Sequence, residues 1–385
     1  MMPTMSRSSD TIPPRAATDP KPKADGASQR TRRWIVAVIV LTLVIVLARL
    51  LVTAGPFDGG RPSAKRPAPS TPARPSREAP LDAQGRPYRP FLNRSWWNTA
   101  VPVDAPHDSH EVQVLRYLST APESGQGCLR LAGAQHSKWG QPAYWSQPGD
   151  AQYDVHGLPA GAPAELRTLR IPQGAHSANN SDGTMSIYDV NRGYVVLLTD
   201  AHYHPEDDRW SASGATLTYL NSNGLSAATG RSDDPRNVGT HRGNNGATSY
   251  VRYDMVAAGE VRNVLKIASG PELSSRAVFP MTASDGDVTD SALGAPPQGL
   301  RLRLNPSINL NRLGLHPQAL VIAKALQTYG AYLGDSGGST AVKLEATRLE
   351  DRRQSWTVTA DDLCRLPFTP TYWAVLPEGY DPSAQ

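Results

Sequence analysis

The stretch TMSIYDVNRGYVVLLTDAH, residues 184–202, is the best guide to the fold of this chain. Two runs rich in apolar and β-branched residues, 184–190 and 194–202, flank the sequence Asn-Arg-Gly. Runs of this length on either side of a short turn that contains Asn and Gly are typical of β-strands. The stretch therefore predicts two strands in succession, and with them a β-rich fold.

The same pattern recurs on both sides of this stretch. Short apolar or alternating runs lie between clusters of Gly, Asn, Asp and Pro, and they predict further strands at 128–132, 166–171, 215–220, 248–253, 264–268, 300–304, 342–346 and 356–359. Strands at this spacing predict a mainly β domain, a sandwich or jelly roll, over residues 91–385.

Only a few short helices are expected. Residues 317–329 begin with Pro, carry an apolar stripe and are followed by Gly330, which are the signals of a helix and its C-terminal cap. A capping-box pattern begins at Asp108 and predicts a second helix. A third, short helix is expected near Asp361.

The first 90 residues differ in character from the rest. Residues 1–33 are polar and predict a disordered tail. Residues 34–54 are almost wholly apolar and long enough to cross a bilayer, which predicts a transmembrane signal anchor, with a cleaved signal peptide as the alternative. Residues 55–90 contain nine prolines and predict an extended stalk. The basic cluster before the apolar run predicts a cytoplasmic N-terminus and an extracytoplasmic main domain.

The charge is distributed unevenly along the chain, which has a net charge of +4. Residues 1–90 hold 15 Lys and Arg against 6 Asp and Glu, whereas residues 91–385 hold 24 against 29. Domains that bind nucleic acids carry an excess of basic residues on one face. The mildly acidic domain therefore gives no reason to expect a nucleic-acid partner.

Two cysteines, Cys128 and Cys364, lie in the predicted extracytoplasmic domain. An even number of cysteines in an oxidising compartment predicts a disulfide, here joining residues 236 positions apart. Two buried free thiols are the alternative.

The end of the quoted stretch contains a possible chemical site. On a strand, the side chains of Asp200, His202 and His204 point to one face. Two imidazoles and a carboxylate can bind a metal ion or act in general acid–base catalysis. The alternative is a polar strand end that runs into an acidic turn.

An Asp-rich segment, 284–290, offers a second possible site. Asp285, Asp287 and Asp290 surround Gly286, and carboxylates spaced in this way can bind Ca²⁺. An ordinary surface turn is the alternative, because Asp and Gly are common turn residues.

Aromatic and polar residues suggest a carbohydrate site. Sugars bind to aromatic faces, while planar polar side chains hold their hydroxyl groups. Trp residues in a β-rich fold also belong to cores, which is the alternative for each of them. The expected binding residues are Trp139, Trp145, His156, His204, Trp210, Arg242 and Asn244. The expected catalytic residues are Asp200, His202, His241, Tyr253 and Asp254.

Two short motifs resemble those of chymotrypsin-like serine proteases. The segment 334–338, Gly-Asp-Ser-Gly-Gly, resembles the nucleophile motif, and 198–202 resembles the histidine motif. This resemblance implies that Ser336 is the nucleophile and His202 the base. A predicted helix just before Gly334 departs from the family pattern, and a Gly-rich turn is the alternative.

Longer segments resemble a family of secreted bacterial β-sandwich or jelly-roll proteins, most of them without a known activity. The resemblance covers about residues 92–350 and is carried by 210–215, 222–225, 251–261, 278–281, 296–304 and 326–335. It implies a fold and an extracytoplasmic setting, and it puts Ser336 at the end of a helix-and-strand unit. It implies no catalytic residues.

These features lead to a primary hypothesis and two alternatives. The primary hypothesis is a membrane-anchored extracytoplasmic domain that binds or acts on cell-envelope carbohydrate, as a hydrolase or lyase if it is an enzyme. The alternatives are a non-catalytic adhesin or scaffold and a serine protease.

Overall fold

The computed structural model describes residues 79–135, 137–347 and 356–384, and short β-strands dominate this part of the chain. The strands are β1 Arg130–Ala132, β2 Ala143–Trp145, β3 Gln152–Tyr153, β4 Leu169–Arg170, β5 Met185–Asp189, β6 Tyr194–Thr199, β7 His202–His204, β8 Arg209–Ser211, β9 Gly214–Tyr219, β10 Leu265–Ser269, β11 Ser274–Ala277, β12 Pro297–Gln298, β13 Arg301–Leu304, β14 Ala331–Ser336, β15 Ala341–Lys343 and β16 Trp373–Val375. The α-helices are α1 Glu111–Thr120, α2 Tyr253–Ala257 and α3 Pro317–Thr328. The expectation of a mainly β domain with few helices is confirmed.

Most of the segments predicted at the N-terminal end of the chain lie outside the described residues. The predicted tail, 1–33, and the predicted anchor, 34–54, lie outside the described residues, as does most of the predicted stalk, 55–90. Within the described ranges, no helix has the length and apolar character needed to cross a membrane.

The largest sheet has six strands in the order β1-β15-β10-β14-β13-β16. The β1–β15 and β10–β14 pairs are parallel, and the other neighbours are antiparallel. Leu265 and Ile267 of β10 and Leu333 of β14 belong to one apolar core, which also contains the buried face of α3. Because side chains alternate along a strand, Lys266 and Tyr332 project from the opposite face of this sheet.

Helix α3 begins and ends where the sequence predicts. Pro317 occupies its first turn, and Nδ1 of His316 accepts the backbone N–H of Gln318 over 3.2 Å. After the helix, Gly330 has a φ of 69°, a left-handed conformation that suits glycine. This turn carries the chain directly into β14, so α3 and β14 form one unit.

A second sheet has four strands in the order β2-β5-β6-β9, and both of its faces are covered. Ile187 and Val196 face one core, whereas Tyr188 and Leu197 face another, which includes Tyr332 from the six-stranded sheet. Together with Trp96 and Trp97, this second core joins the two sheets.

The predicted disulfide between Cys128 and Cys364 is confirmed, with their Cα atoms 4.9 Å apart. It joins the segment just before β1 to the segment 356–372, which precedes β16.

Three predicted elements do not form. Residues 248–253 contain a loop and the start of α2, because the side chain of Asn245 binds both the backbone N–H and the hydroxyl of Thr248. Residues 356–359 are not a strand, since Gln318 accepts the N–H groups of Thr357 and Val358. The helix expected near Asp361 is a turn. In each of the first two segments, a polar side chain accepts backbone N–H groups that would otherwise bond to a neighbouring strand.

Candidate functional site

A cavity of about 640 Å³, here called the polar cleft, is lined by several charged side chains from different segments of the chain. The six-stranded sheet contributes side chains from the face that carries Tyr332, and β6 and two loops complete the lining. The residues that line the polar cleft include Gln141, Asp182, Thr184, Leu197, Thr199, Asp200, Ser213, Thr240, His241, Arg242, Asn244, Ser249, Lys266, Asp335, Ser336 and Lys343.

A second cavity of about 430 Å³, here called the side cavity, adjoins the polar cleft. Four residues, Thr199, Ser213, Thr240 and His241, line both cavities. The remaining wall of the side cavity is uncharged and consists of residues 159–163, 214–216 and 238–239. The two adjacent cavities are together called the groove, which has a charged part and an uncharged part.

Two lysines lie side by side in the polar cleft. In the antiparallel pair of β10 and β15, Ile267 is opposite Val342 and Ala268 is opposite Ala341, which places Lys266 opposite Lys343. Their side chains are 10% and 25% exposed. Burial and the nearby Lys266 lower the pKa of Lys343 from its ordinary value, against the opposing effect of Asp182 and Asp335. Adjacent like charges on a sheet are unfavourable, so this pair requires compensation.

Asp335 provides the main compensation. Its Oδ2 lies 3.1 Å from Nζ of Lys266, and its Oδ1 lies 3.2 Å from Nη1 of Arg242. Burial alone would raise the pKa of Asp335, but the cations Lys266 and Arg242 hold it below its ordinary value. Lys343 has a longer ion pair, 3.6 Å, with the half-exposed Asp182.

The loop that carries His241 and Arg242 is tied to the end of β14. Arg242 forms an ion pair with Asp285, whose Oδ2 also accepts the backbone N–H of Ser336 over 3.2 Å. Asn244 accepts hydrogen bonds from the hydroxyls of Tyr332, at 2.7 Å, and Ser249, at 3.1 Å. These contacts explain why the predicted binding residues Arg242 and Asn244 lie in the cleft.

The calcium site expected at Asp285, Asp287 and Asp290 does not form as a cluster. Asp285 is paired with Arg242, and Asp290 caps a short 3₁₀ helix by accepting the N–H of Ala292. Across the part of the chain that the structure describes, no three metal-binding side chains converge. Arg242 and the N-terminus of the 3₁₀ helix thus bind carboxylate oxygens that a cation would need as ligands.

Asp200 lies on the wall of the polar cleft in an unusual backbone conformation. Its φ of 51° interrupts the strand predicted for 194–202, which is observed as β6 and β7. Its N–H donates to the carbonyl of Asp182 over 2.8 Å, and its Oδ1 lies 2.8 Å from Nε2 of His202. His204 instead bonds through Nε2 to the hydroxyl of Ser211. Of the three predicted residues, only Asp200 lines the cleft.

Other predicted site residues lie outside the groove. Tyr253 packs edge-on against Trp356, with ring centres 5.0 Å apart, and Asp254 is paired with Arg252. His156 is exposed, and its backbone pairs with that of Ser211. These contacts give Tyr253, Asp254 and His156 roles at other places in the fold.

Most of the predicted sugar-binding aromatic residues are buried. Trp145 stacks on Tyr188 with ring centres 4.3 Å apart, and Trp210 is buried in a core. Trp139 is 41% exposed, and it does not line either cavity. The groove therefore contains polar and charged groups where an aromatic platform was expected.

The sequence interpretation missed Lys266, Lys343 and Asp182. A signal for the two lysines was present, since the chain has only seven lysines and both lie within predicted strands, Lys266 as the only charged residue of 264–268 and Lys343 within 342–346.

Ser336 lines the polar cleft, but its hydroxyl oxygen is buried and has no hydrogen-bond partner within the described structure. His202, the predicted base, is bonded to Asp200. No protein-family model, curated protein or solved structure matches this chain, so the interpretation of the groove depends on its own residues.

Proposed function

We propose that the domain of residues 91–385 binds cell-envelope carbohydrate along the groove formed by the polar cleft and the side cavity. The observation that carries this proposal is the shared wall of the two cavities, formed by Thr199, Ser213, Thr240 and His241. A small ligand needs one cavity, whereas adjacent units of an oligomer can occupy two. Hydroxyl and imidazole side chains along this wall, together with the amide and charged side chains of the polar cleft, suit a ligand rich in hydroxyl groups.

An extracytoplasmic setting is part of the proposal. The disulfide between Cys128 and Cys364 supports it, because such bonds persist in oxidising compartments. The apolar segment 34–54 would anchor the chain in the membrane. The core shared by the two larger sheets, which contains Trp97 and Tyr332, supports the more specific interpretation of the fold as a β-sandwich.

Glycan cleavage is the second candidate function, and the backbone of Asp200 favours it. Residues held in a strained conformation often belong to functional sites, and Asp200 combines a positive φ with a close contact to His202. His241, where the two cavities meet, lies in a suitable position for a second acid or base. Binding without cleavage would instead favour an adhesin or scaffold.

A substitution in the shared wall tests the binding proposal. Ser213 is exposed and lines both cavities, so Ser213→Trp should fill their junction without disturbing a core. We expect wild-type protein to bind oligosaccharides from the bacterial wall on a glycan array, and the variant to bind them at least tenfold more weakly. Ser291→Trp, at an exposed position outside both cavities, is the matched control.

Two results would contradict the proposal: no glycan binds to the wild type, or Ser213→Trp binds as tightly as Ser291→Trp. Release of reducing ends from the bound glycans tests cleavage in the same samples. Cleavage that persists in both Asp200→Asn and His241→Ala would exclude the catalytic assignment.

A further inference from the structure

We propose that Lys266 and Lys343 form a subsite for a carboxylate, so that the ligand carries an acidic sugar in the polar cleft and a neutral sugar in the side cavity. This inference rests on the proposed function and specifies its substrate class. The two lysines lie opposite each other on β10 and β15 and line the same cavity.

The counter-ions in the polar cleft leave a place for a ligand's carboxylate. Asp335 divides its two oxygens between Lys266 and Arg242, and Arg242 is also paired with Asp285. The contact from Lys343 to Asp182, at 3.6 Å, is longer than a good hydrogen bond. A carboxylate that binds both ammonium groups would relieve their repulsion and make charge-assisted hydrogen bonds.

The other charges limit what kind of anion fits. Asp182 and Asp200 also line the polar cleft, and their side chains are 44% and 55% exposed. Such an acidic rim repels a polymer with high charge density, such as a chain of phosphodiesters or sulfates. A single carboxylate among hydroxyl groups matches the two lysines and avoids most of this repulsion.

The side cavity determines the neighbouring sugar. Apart from His241, its wall holds no side chain that can carry a charge at neutral pH, and it consists mainly of Pro, Ala, Gly, Ser, Thr and Val. A second carboxylate there would lose its hydration without gaining a cation. A neutral sugar therefore fits this part of the groove, and the favoured ligand alternates acidic and neutral units.

The pH dependence of binding provides a separate signature. Lys343 faces Lys266, Asp182 and Asp335, and burial and Lys266 lower its pKa in the free protein. A bound carboxylate stabilises the charged form and raises this pKa, so binding takes up a proton. Affinity for an acidic sugar should then fall as the pH rises through the pKa of Lys343 in the free protein, which lies below its ordinary value of 10.5, because Lys343 loses its charge.

The experiment compares three probes by calorimetry: a hyaluronan tetrasaccharide, its carboxyl-reduced neutral form and a glycerol phosphate trimer. We expect the acidic tetrasaccharide to bind wild type at least tenfold more tightly than either of the others. Lys266→Met and Lys343→Met should each weaken binding of the acidic tetrasaccharide severalfold and so remove most of this preference. Lys324→Met, at an exposed position on α3, is the matched control.

Arginine at position 343 keeps the charge at every pH used, so Lys343→Arg should keep the preference and lose its pH dependence. Equal binding of the acidic and neutral forms, tighter binding of the phosphate probe, or a preference that survives both methionine substitutions would overturn the carboxylate subsite while the proposed function stands. If neither tetrasaccharide nor any glycan on the array binds, the proposed function is wrong as well.

Discussion

The ammonium of Lys266 lies 3.1 Å from the carboxylate of Asp335, where β10 and β14 run parallel in the six-stranded sheet. The other oxygen of Asp335 contacts Arg242, on the loop opposite this sheet. A single carboxylate therefore links the sheet wall of the polar cleft to the loop that carries Arg242.

Removing this carboxylate should destabilise the fold in a pH-dependent way. The pKa of Asp335 is held below its ordinary value of 3.8 by Lys266 and Arg242, although burial opposes them. Its contribution to stability is therefore present above pH 3.8 and is lost as the pH falls through its folded-state pKa. At pH 7 we expect Asp335→Asn to lower the free energy of unfolding by about 1–3 kcal/mol.

Urea unfolding between pH 7 and pH 2 measures this effect. The difference between wild type and Asp335→Asn should shrink as the pH falls below 3.8. Asp207→Asn removes an exposed carboxylate and should change stability little at any pH. A difference for Asp335→Asn that stays constant over the whole range would mean that packing, not charge, is responsible.

The disulfide should make a large contribution to stability. Cys128 and Cys364 close a loop of 236 positions, for which the chain-entropy model gives roughly 5 kcal/mol. We expect the double variant Cys128→Ser/Cys364→Ser to lose about this much free energy of unfolding. A reducing agent should destabilise the wild type and leave the double variant unaffected, whereas equal sensitivity of both proteins would contradict the prediction.

The sequence predicted local structure better than long-range pairing. Alternating and helical patterns located β5, β6, β10 and α3 within one to three residues. The failures have local causes, such as the side chain of Asn245, which takes the hydrogen bonds of Thr248. Nothing in the pattern showed that β10 pairs in parallel with β14, because that pairing depends on contacts between residues about 70 positions apart.

The sequence likewise predicted only part of the candidate site, because the rest of the site depends on contacts between residues far apart in the chain. Asp200, His241, Arg242 and Asn244 were expected from local clusters of polar residues, and they line the cleft. Lys266 was missed because a single lysine in a strand usually faces solvent. Its role becomes visible only when the second sheet covers that face.

One glycine should be essential for packing between chain segments. Gly299 has a φ of 102°, and a Cβ there would overlap the carbonyl oxygen of Val278. We expect Gly299→Ala to cost about 3 kcal/mol or more, through strain and displaced backbone. Gly338 has open space around its Cα, so Gly338→Ala should change the free energy of unfolding by less than about 0.5 kcal/mol. Equal melting temperatures for the two variants would refute this assignment.

Substitution of Ser336, whose hydroxyl is buried, distinguishes a structural role of this residue from a catalytic one. Its oxygen has no hydrogen-bond partner in the described structure, and an unpaired buried polar group costs about 1–3 kcal/mol. Ser336→Ala removes this group but keeps the backbone N–H that Asp285 accepts, so we expect it to raise the free energy of unfolding by about 1 kcal/mol. A fluorophosphonate probe should leave the wild type unlabelled, because the hydroxyl is shielded. Labelling that Ser336→Ala abolishes would instead establish Ser336 as a nucleophile and support the protease alternative.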